Sequence, residues 1–252
     1  IGLLGRGTVG SAFDELVAER ADQVEAATGR RPEVTGVLTR SQGDFGEILP
    51  DADVIVELMG GTDTAREHVL AALRAGVPVV TANKQLLAQH GAELFAAAEE
   101  GGVQLRFEAA VAAVVPVIRV VQESFGAVEF SKVFGIVNGT TNFILSEMAA
   151  TGASYAEVLK RAQELGYAEA DPTEDVNGTD DAAKLAILAR LAFRTPVTLD
   201  QVDIEGIEDI ERAFDTLRTL REPSAPPLRF DDDLDDAFLD RVAALLSPTP
   251  AP

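Results

Sequence analysis

The sequence predicts an α/β protein: a parallel sheet flanked by helices, followed by a second, α+β region. Three features carry that reading. Short apolar runs alternate with helical patterns over the first 110 residues, a glycine-rich turn separates the first run from the first helix, and the rhythm changes after Glu108. Strands that alternate with helices pair in parallel, because each return to the sheet needs a crossover.

The elements follow in order. Ile1–Leu4 reads as a strand and ends at Gly5-Arg6-Gly7-Thr8-Val9-Gly10. Ala12, Phe13, Leu16 and Val17 then recur at helical spacing. Glu33–Leu38 and Ala52–Leu58 read as the next two strands, and Ala65–Ala75 as a helix closed by Gly76. Val77–Thr81 is strand, Leu86–Glu99 helix and Val103–Phe107 strand. Beyond Glu108, Val111–Val121 is almost continuously apolar, and Ala127–Val137 carries strand-forming residues up to the turn Asn138-Gly139. Tyr155–Leu165 and Asp180–Phe193 are amphipathic helices. From about Pro223 the chain is rich in Pro and Asp, which reads as an acidic tail with a short final helix at Ala237–Leu246. The expected divisions are 1–110, 111–207 and an acidic segment 208–252.

Composition narrows the function. With 46% hydrophobic residues a sizeable core is available. A formal charge of −21 argues against nucleic acid and anionic membranes, both of which need clustered Lys and Arg. The absence of cysteine excludes disulfides, thiolate zinc sites and thiol nucleophiles, including those of cysteine-dependent aldehyde dehydrogenases. No leader pattern or long uncharged apolar run is present, so a cytoplasmic protein is expected. Lysine is confined to Lys84, Lys132, Lys160 and Lys184. Because lysine can release a proton and arginine cannot, each merits a check for chemistry.

Gly5-x-Gly7-x-x-Gly10 after a strand and before a helix has a mechanism. Gly5 allows the tight turn, Gly7 lets backbone approach a pyrophosphate, and Gly10 lets helix and strand pack closely. The amides of the helix N-terminus then face the phosphates. This predicts a Rossmann-like dinucleotide domain. NAD sites usually place an acid after the second strand, whereas here Thr39-Arg40-Ser41 follows. Arg40 beside a hydroxyl suits a 2′-phosphate, which favours NADP(H) with NAD(H) as the alternative; an ordinary surface arginine fits the same pattern.

An ordered set of motifs then resembles the homoserine dehydrogenases. It comprises Gly5–Gly10, Val56-Glu57-Leu58-Met59-Gly60-Gly61, Thr81-Ala82-Asn83-Lys84, Phe107-Glu108-Ala109-Ala110-Val111 and Asn138-Gly139-Thr140-Thr141-Asn142. Most specific is Leu165-Gly166-Tyr167-Ala168-Glu169-Ala170-Asp171-Pro172, continuing through Asp175-Val176 and Gly178 into Asp180-Asp181-Ala182-Ala183-Lys184. The likeness runs from residue 1 to about 207.

The resemblance implies NADP(H)-dependent interconversion of aspartate 4-semialdehyde and homoserine, in a homodimer whose residues 111–207 bind substrate and dimerise. It makes Lys184 the proton donor and Lys84 a second active-site lysine, and it assigns the homoserine amino group to Glu169, Asp175 and Asp180. Cofactor contacts fall to Gly5, Arg6, Gly7, Thr8, Val9, Gly10, Arg40, Gly60, Lys84 and Gly166. Glu108 with the carbonyls of Val111, Ala113 and Val115 matches a monovalent-cation site, here sodium. The chemistry is consistent: reducing an aldehyde with hydride creates an alkoxide that an ammonium can stabilise and protonate. Asp180 and Lys184 stand i,i+4 on one helix and share a face, a pattern that exposed helix salt bridges also produce. His68, His90, Lys132 and Lys160 read as surface residues without a role.

Two departures from the family pattern stand out. Ala112-Ala113-Val114-Val115-Pro116 replaces small glycines, and Val114 would resist the backbone angles that glycine permits. The glycine-rich segment and helix expected after Ile207 are not recognisable, nor is a regulatory ACT domain, so either the chain is shortened or its tail replaces those contacts differently. A non-catalytic dinucleotide-binding protein of the same descent is therefore the second reading.

Overall fold

The computed structural model describes residues 1–208 and 210. They contain five short strands, β1 (Gly2–Leu4), β2 (Gly36–Leu38), β3 (Ile55–Glu57), β4 (Val79–Thr81) and β5 (Leu105–Arg106). All pair in parallel, in the order β2-β1-β3-β4-β5. The helices between them are α1 (Thr8–Thr28), α2 (Phe45–Ile48), α3 (Asp63–Arg74) and α4 (Lys84–Gly101). After β5 come α5 (Val117–Arg119), running into a π-helical turn at Val120–Ser124, then α6 (Gly139–Thr151), α7 (Tyr155–Glu164), α8 (Thr173–Val176) and α9 (Thr179–Phe193).

By compactness the described residues form two units: Ile1–Gly139 with Gly178–Glu205, and Thr140–Asn177 with the described residues from Gly206. The ranges 1–110 and 111–207 are an expected division by role along the chain; by compactness Val111–Gly139 and all of α9 group with the sheet.

In the first unit the strand order reverses direction between β1 and β3, and in open α/β sheets that switch point opens a crevice at the carboxyl ends of the strands. The sheet is buried between helices: Leu4, Ile55 and Val79 have no exposed surface and pack with Leu73 of α3 and Leu86 and Leu94 of α4. Phe107, 1% exposed, meets Phe95 edge to face with centroids 5.5 Å apart. α4 also packs on α9, where Ala88, Ala183 and Ala186 form a small-residue contact. Alanines on both surfaces let the two backbones approach closely.

The second unit has a separate core of Ile144 and Met148 from α6, Val158 and Ala162 from α7, Ala168, and Val176 from α8. Ser154 and Glu157 form a reciprocal capping box that starts α7.

Two expectations are corrected. Ala127–Val137 forms no strand: Val128, Phe134 and Ile136 are exposed, and no described strand lies alongside. Strand-forming side chains make a strand only with a hydrogen-bonded neighbour, so propensity alone misleads here. Lys132, expected on a strand surface, lies in this irregular segment. The strain expected at Val114 falls instead on Ala112 and Ala113, with φ of 58° and 48°. Left-handed backbone costs a non-glycine residue about 1–2 kcal/mol, and two alanines carry it where glycine would not. The acidic tail and its helix at Ala237–Leu246 lie outside the described residues.

The glycine turn gives a stability test. A Cβ on Gly10 would lie 2.0 Å from the Gly5 carbonyl oxygen, whereas one on Gly7 would meet nothing within 4 Å. Gly10→Ala is expected to destabilise the fold by at least about 1–3 kcal/mol, several degrees in Tm. Gly7→Ala should leave thermal unfolding within about a degree of the parent. Differential scanning calorimetry of both variants checks the contrast.

Candidate functional site

The carboxylate of Asp180 organises the site. It lies in the first turn of α9 and is 4% exposed. Lys84 Nζ stands 2.6 Å from Oδ1, and Lys184 Nζ 2.6 Å from Oδ2. Asn138 Nδ2 donates to Oδ2 at 2.9 Å, and Lys184 Nζ also donates to the Val137 carbonyl at 2.7 Å. Burial pushes the Asp180 carboxyl up, but hydrogen bonds from Lys184, Lys84 and Asn138, together with the Lys184 charge, outweigh it and hold the group below the usual aspartate value.

The fold sets this up. Lys84 is the first residue of α4, at the positive end of the helix dipole, so a cation there needs a compensating anion. Asp180 is that anion, and its own place in the first turn of α9 is favoured by the same dipole effect. The alanine contact between α4 and α9 brings the two N-terminal turns together. The i,i+4 pair of Asp180 and Lys184 is therefore not an exposed helix salt bridge.

α4 starts where it does because of its cap. Asn83 accepts from the Leu86 amide at 3.0 Å, and its Nδ2 donates to the Gly61 carbonyl at 2.8 Å. The Gly61 loop follows β3, and Leu58 within it meets the glycine turn: the Leu58 amide donates to Leu4 O, and a Cβ on Gly5 would lie 2.5 Å from the Leu58 carbonyl oxygen. Gly5 has φ +95°, which only glycine adopts readily.

The turn suits a dinucleotide pyrophosphate. Gly7 has open space where a side chain would stand, no side chain caps the N-terminus of α1, and no acidic residue lies in its first turn. Thr8, Val9 and Gly10 carry the first amides of that helix. Arg6 is half-exposed and paired with Asp14 at 2.6 Å. Gly60 also has nothing within 4 Å of a built Cβ. Arg40 follows β2 and is exposed.

The comparisons match these two halves of the site. A model of the NAD-binding domain of homoserine dehydrogenase matches residues 5–108, and a homoserine dehydrogenase model matches residues 116–224. The homoserine dehydrogenase of Corynebacterium glutamicum is 48% identical over 228 residues, 84% of this chain and 51% of its own length. That of Neisseria gonorrhoeae is 42% identical, over 84% of this chain and 52% of its own length. A putative homoserine dehydrogenase structure from Archaeoglobus fulgidus superposes with a TM-score of 0.78 at 33% identity, covering 86% of this chain and 76% of that one.

The chain belongs to the homoserine dehydrogenase family.

A homoserine dehydrogenase structure from Thiobacillus denitrificans likewise gives a TM-score of 0.78 at 41% identity, over 86% of this chain and 55% of that one. The chain spans about half the length of the curated relatives it matches. Residues 5–108 are the part of the chain that matches the family's NAD-binding domain. No helix among the described residues is long and apolar enough to cross a membrane.

Of the residues expected in the site, Lys84, Asp180 and Lys184 meet in the first unit. Glu169, Asp175 and Gly166 belong to the second: Glu169 is exposed, Asp175 half-buried, and Gly166 turns the chain after α7 with φ +79°. Glu108 receives the amides of Ile118 and Arg119, each at 3.0 Å, while Val111 is buried and Ala113 and Val115 are exposed. The sequence assigns no role to Asn138, which stands first in the motif Asn138-Gly139-Thr140-Thr141-Asn142. The Val137 carbonyl, as a backbone acceptor, left no signal in the sequence. His68 is half-buried and stacked on Phe45 at 4.2 Å, not simply a surface residue, and Lys160 stays exposed beside Glu164.

Asp180 carries a pH test. A carboxylate held below its unfolded value contributes stability that is present above that value and lost as pH falls through the folded one. Asp180→Asn leaves two ammoniums facing each other and should cost about 2–3 kcal/mol at neutral pH, less than a fully buried pair because both lysines are partly exposed. Urea unfolding at pH 7 and below about pH 4 checks this, since the gap between variant and parent should shrink in acid.

Proposed function

We propose that this chain carries the catalytic core of an NADP(H)-dependent homoserine dehydrogenase, which interconverts homoserine and aspartate 4-semialdehyde. The observation that carries the reading is the pair of lysine ammoniums on one buried carboxylate, in the same compact unit as a dinucleotide-type glycine turn. In this reading residues 1–110 are the dinucleotide domain and 111–207 the substrate-binding and dimerisation domain.

The nicotinamide, when bound, supplies the hydride acceptor or donor at the substrate's terminal carbon. The protein's residues handle the proton and the charge. Lys184 has three N–H bonds; Asp180 and Val137 take two, leaving the third for the substrate oxygen. In the reductive direction that bond steadies the oxygen as negative charge develops and then delivers its proton. In the oxidative direction the neutral amine accepts the hydroxyl proton. Asp180 keeps the amine oriented, and Lys84 adds a second positive charge beside it. Glu169 and Asp175, with Asp180, supply carboxylates for the substrate ammonium. Gly166 adds a cofactor contact, and a sodium ion on Glu108 with the carbonyls of Val111, Ala113 and Val115 completes the family assignment.

NADP(H) is preferred over NAD(H) because Arg40 can meet a 2′-phosphate and the residues that directly follow β2, Thr39-Arg40-Ser41, include no acid. Lys184→Ala should lower turnover of homoserine at least about 100-fold while NADPH fluorescence titration gives an unchanged Kd. Unchanged turnover contradicts the role given to Lys184. Cofactor binding with no turnover in the parent chain favours a non-catalytic dinucleotide-binding protein. Arg40→Ala should weaken NADPH binding about tenfold and leave NADH within about twofold, measured by the same titration. Sedimentation velocity tests the homodimer that completes this reading.

A further inference from the structure

Glu57, the last residue of β3, is fully buried and has no assigned role. Its Oε1 accepts the Met59 amide at 2.8 Å, and its Oε2 accepts the Thr81 hydroxyl at 2.5 Å. The Thr81 oxygen in turn accepts the Asn83 amide at 3.0 Å. Asn83 caps α4, and Lys84 is the next residue. One carboxylate thus bonds both loops that leave the sheet beside the switch point: the β3 loop that meets the glycine turn, and the β4 loop that launches the lysine.

The direction of the Thr81 hydroxyl is the critical link. A hydroxyl has one hydrogen and two lone pairs. Aiming the hydrogen at Glu57 leaves lone pairs for the Asn83 amide, so an acceptor oxygen at Glu57 orients the cap. A buried carboxylate is costly, and two donors satisfy its oxygens here. An apolar residue at 57 would fill the space and lose the link. Glutamine would set its N–H either against the Met59 amide, donor facing donor, or against Thr81, whose hydroxyl must then turn its hydrogen away from residue 57.

We propose that Glu57 is a positioning residue: through Thr81 and Asn83 its buried carboxylate sets the first turn of α4 and holds Lys84 against Asp180. The meaning of this for turnover rests on the function proposed above; the positioning itself does not.

The test is the amine reactivity of the whole chain without substrate. The protein has four lysines, so pulse acetylation with acetic anhydride followed by peptide mass mapping reads each separately. In Glu57→Gln, Lys84 should be acetylated about threefold faster or more relative to exposed Lys160, while the Lys184 to Lys160 ratio stays within about 1.5-fold. Thr81→Val should reproduce the change and Thr81→Ser, which keeps the hydroxyl, should restore the parent ratio. An unchanged Lys84 ratio, or Lys84 and Lys184 rising together, overturns the proposal, the second outcome marking a general loosening of the fold. If Glu57→Gln does not fold, the two Thr81 variants decide by the same ratios. A chain that binds cofactor but does not turn over homoserine leaves this measurement fully readable.

Discussion

A buried carboxylate shared by two ammoniums is the constraint that the rest of the site depends on. Asp180 is almost out of solvent, and burial there pushes its carboxyl up. Lys84, Lys184 and Asn138 keep it ionised, and in return it holds two flexible lysine stems in fixed places. Asp180 and the two ammoniums form one charged unit in which each lysine holds a different oxygen of the carboxylate.

The fold serves that unit through two devices. Alanines between α4 and α9 let helices from distant parts of the chain approach with their first turns together. The 2-1-3-4-5 strand order places the glycine turn and the β3 loop at its switch point, with the β4 loop tied to the β3 loop through Asn83. The crevice that suits a dinucleotide and the lysine that opens α4 thus share one scaffold, and the hydrogen bonds through Glu57, Thr81 and Asn83 connect them.

Much of this was legible in the sequence where periodicity and special residues carry information. The alternation of apolar runs and helical patterns identified all five strands to within a few residues, because a parallel sheet buried on both faces writes nearly continuous apolar segments. Lysine scarcity leaves four candidates, the family resemblance selects Lys84, Lys184 and Asp180, and the i,i+4 spacing puts Asp180 and Lys184 on one helix face. What stayed hidden depends on long-range partners. Ala127–Val137 has strand-forming residues but no neighbouring strand among the described residues. Helix α6 was missed because Asn138-Gly139 reads as a turn; the signal that could have found it was Ile144 and Met148, four apart and both buried. Asn138 and the Val137 carbonyl join the site only through tertiary packing, as does the burial that turns an ordinary helix pair into a charged hub.

The most direct measurement of that hub is a double-mutant cycle between Asp180→Asn and Lys84→Met, read by urea unfolding at neutral pH. Methionine keeps most of the apolar stem of lysine and removes its charge. If the two side chains form one electrostatic unit, the cycle gives a coupling energy of about 1 kcal/mol or more. Additivity within about 0.3 kcal/mol would contradict the account, because the ion pair between Lys84 and Asp180 would then contribute nothing to the folded state.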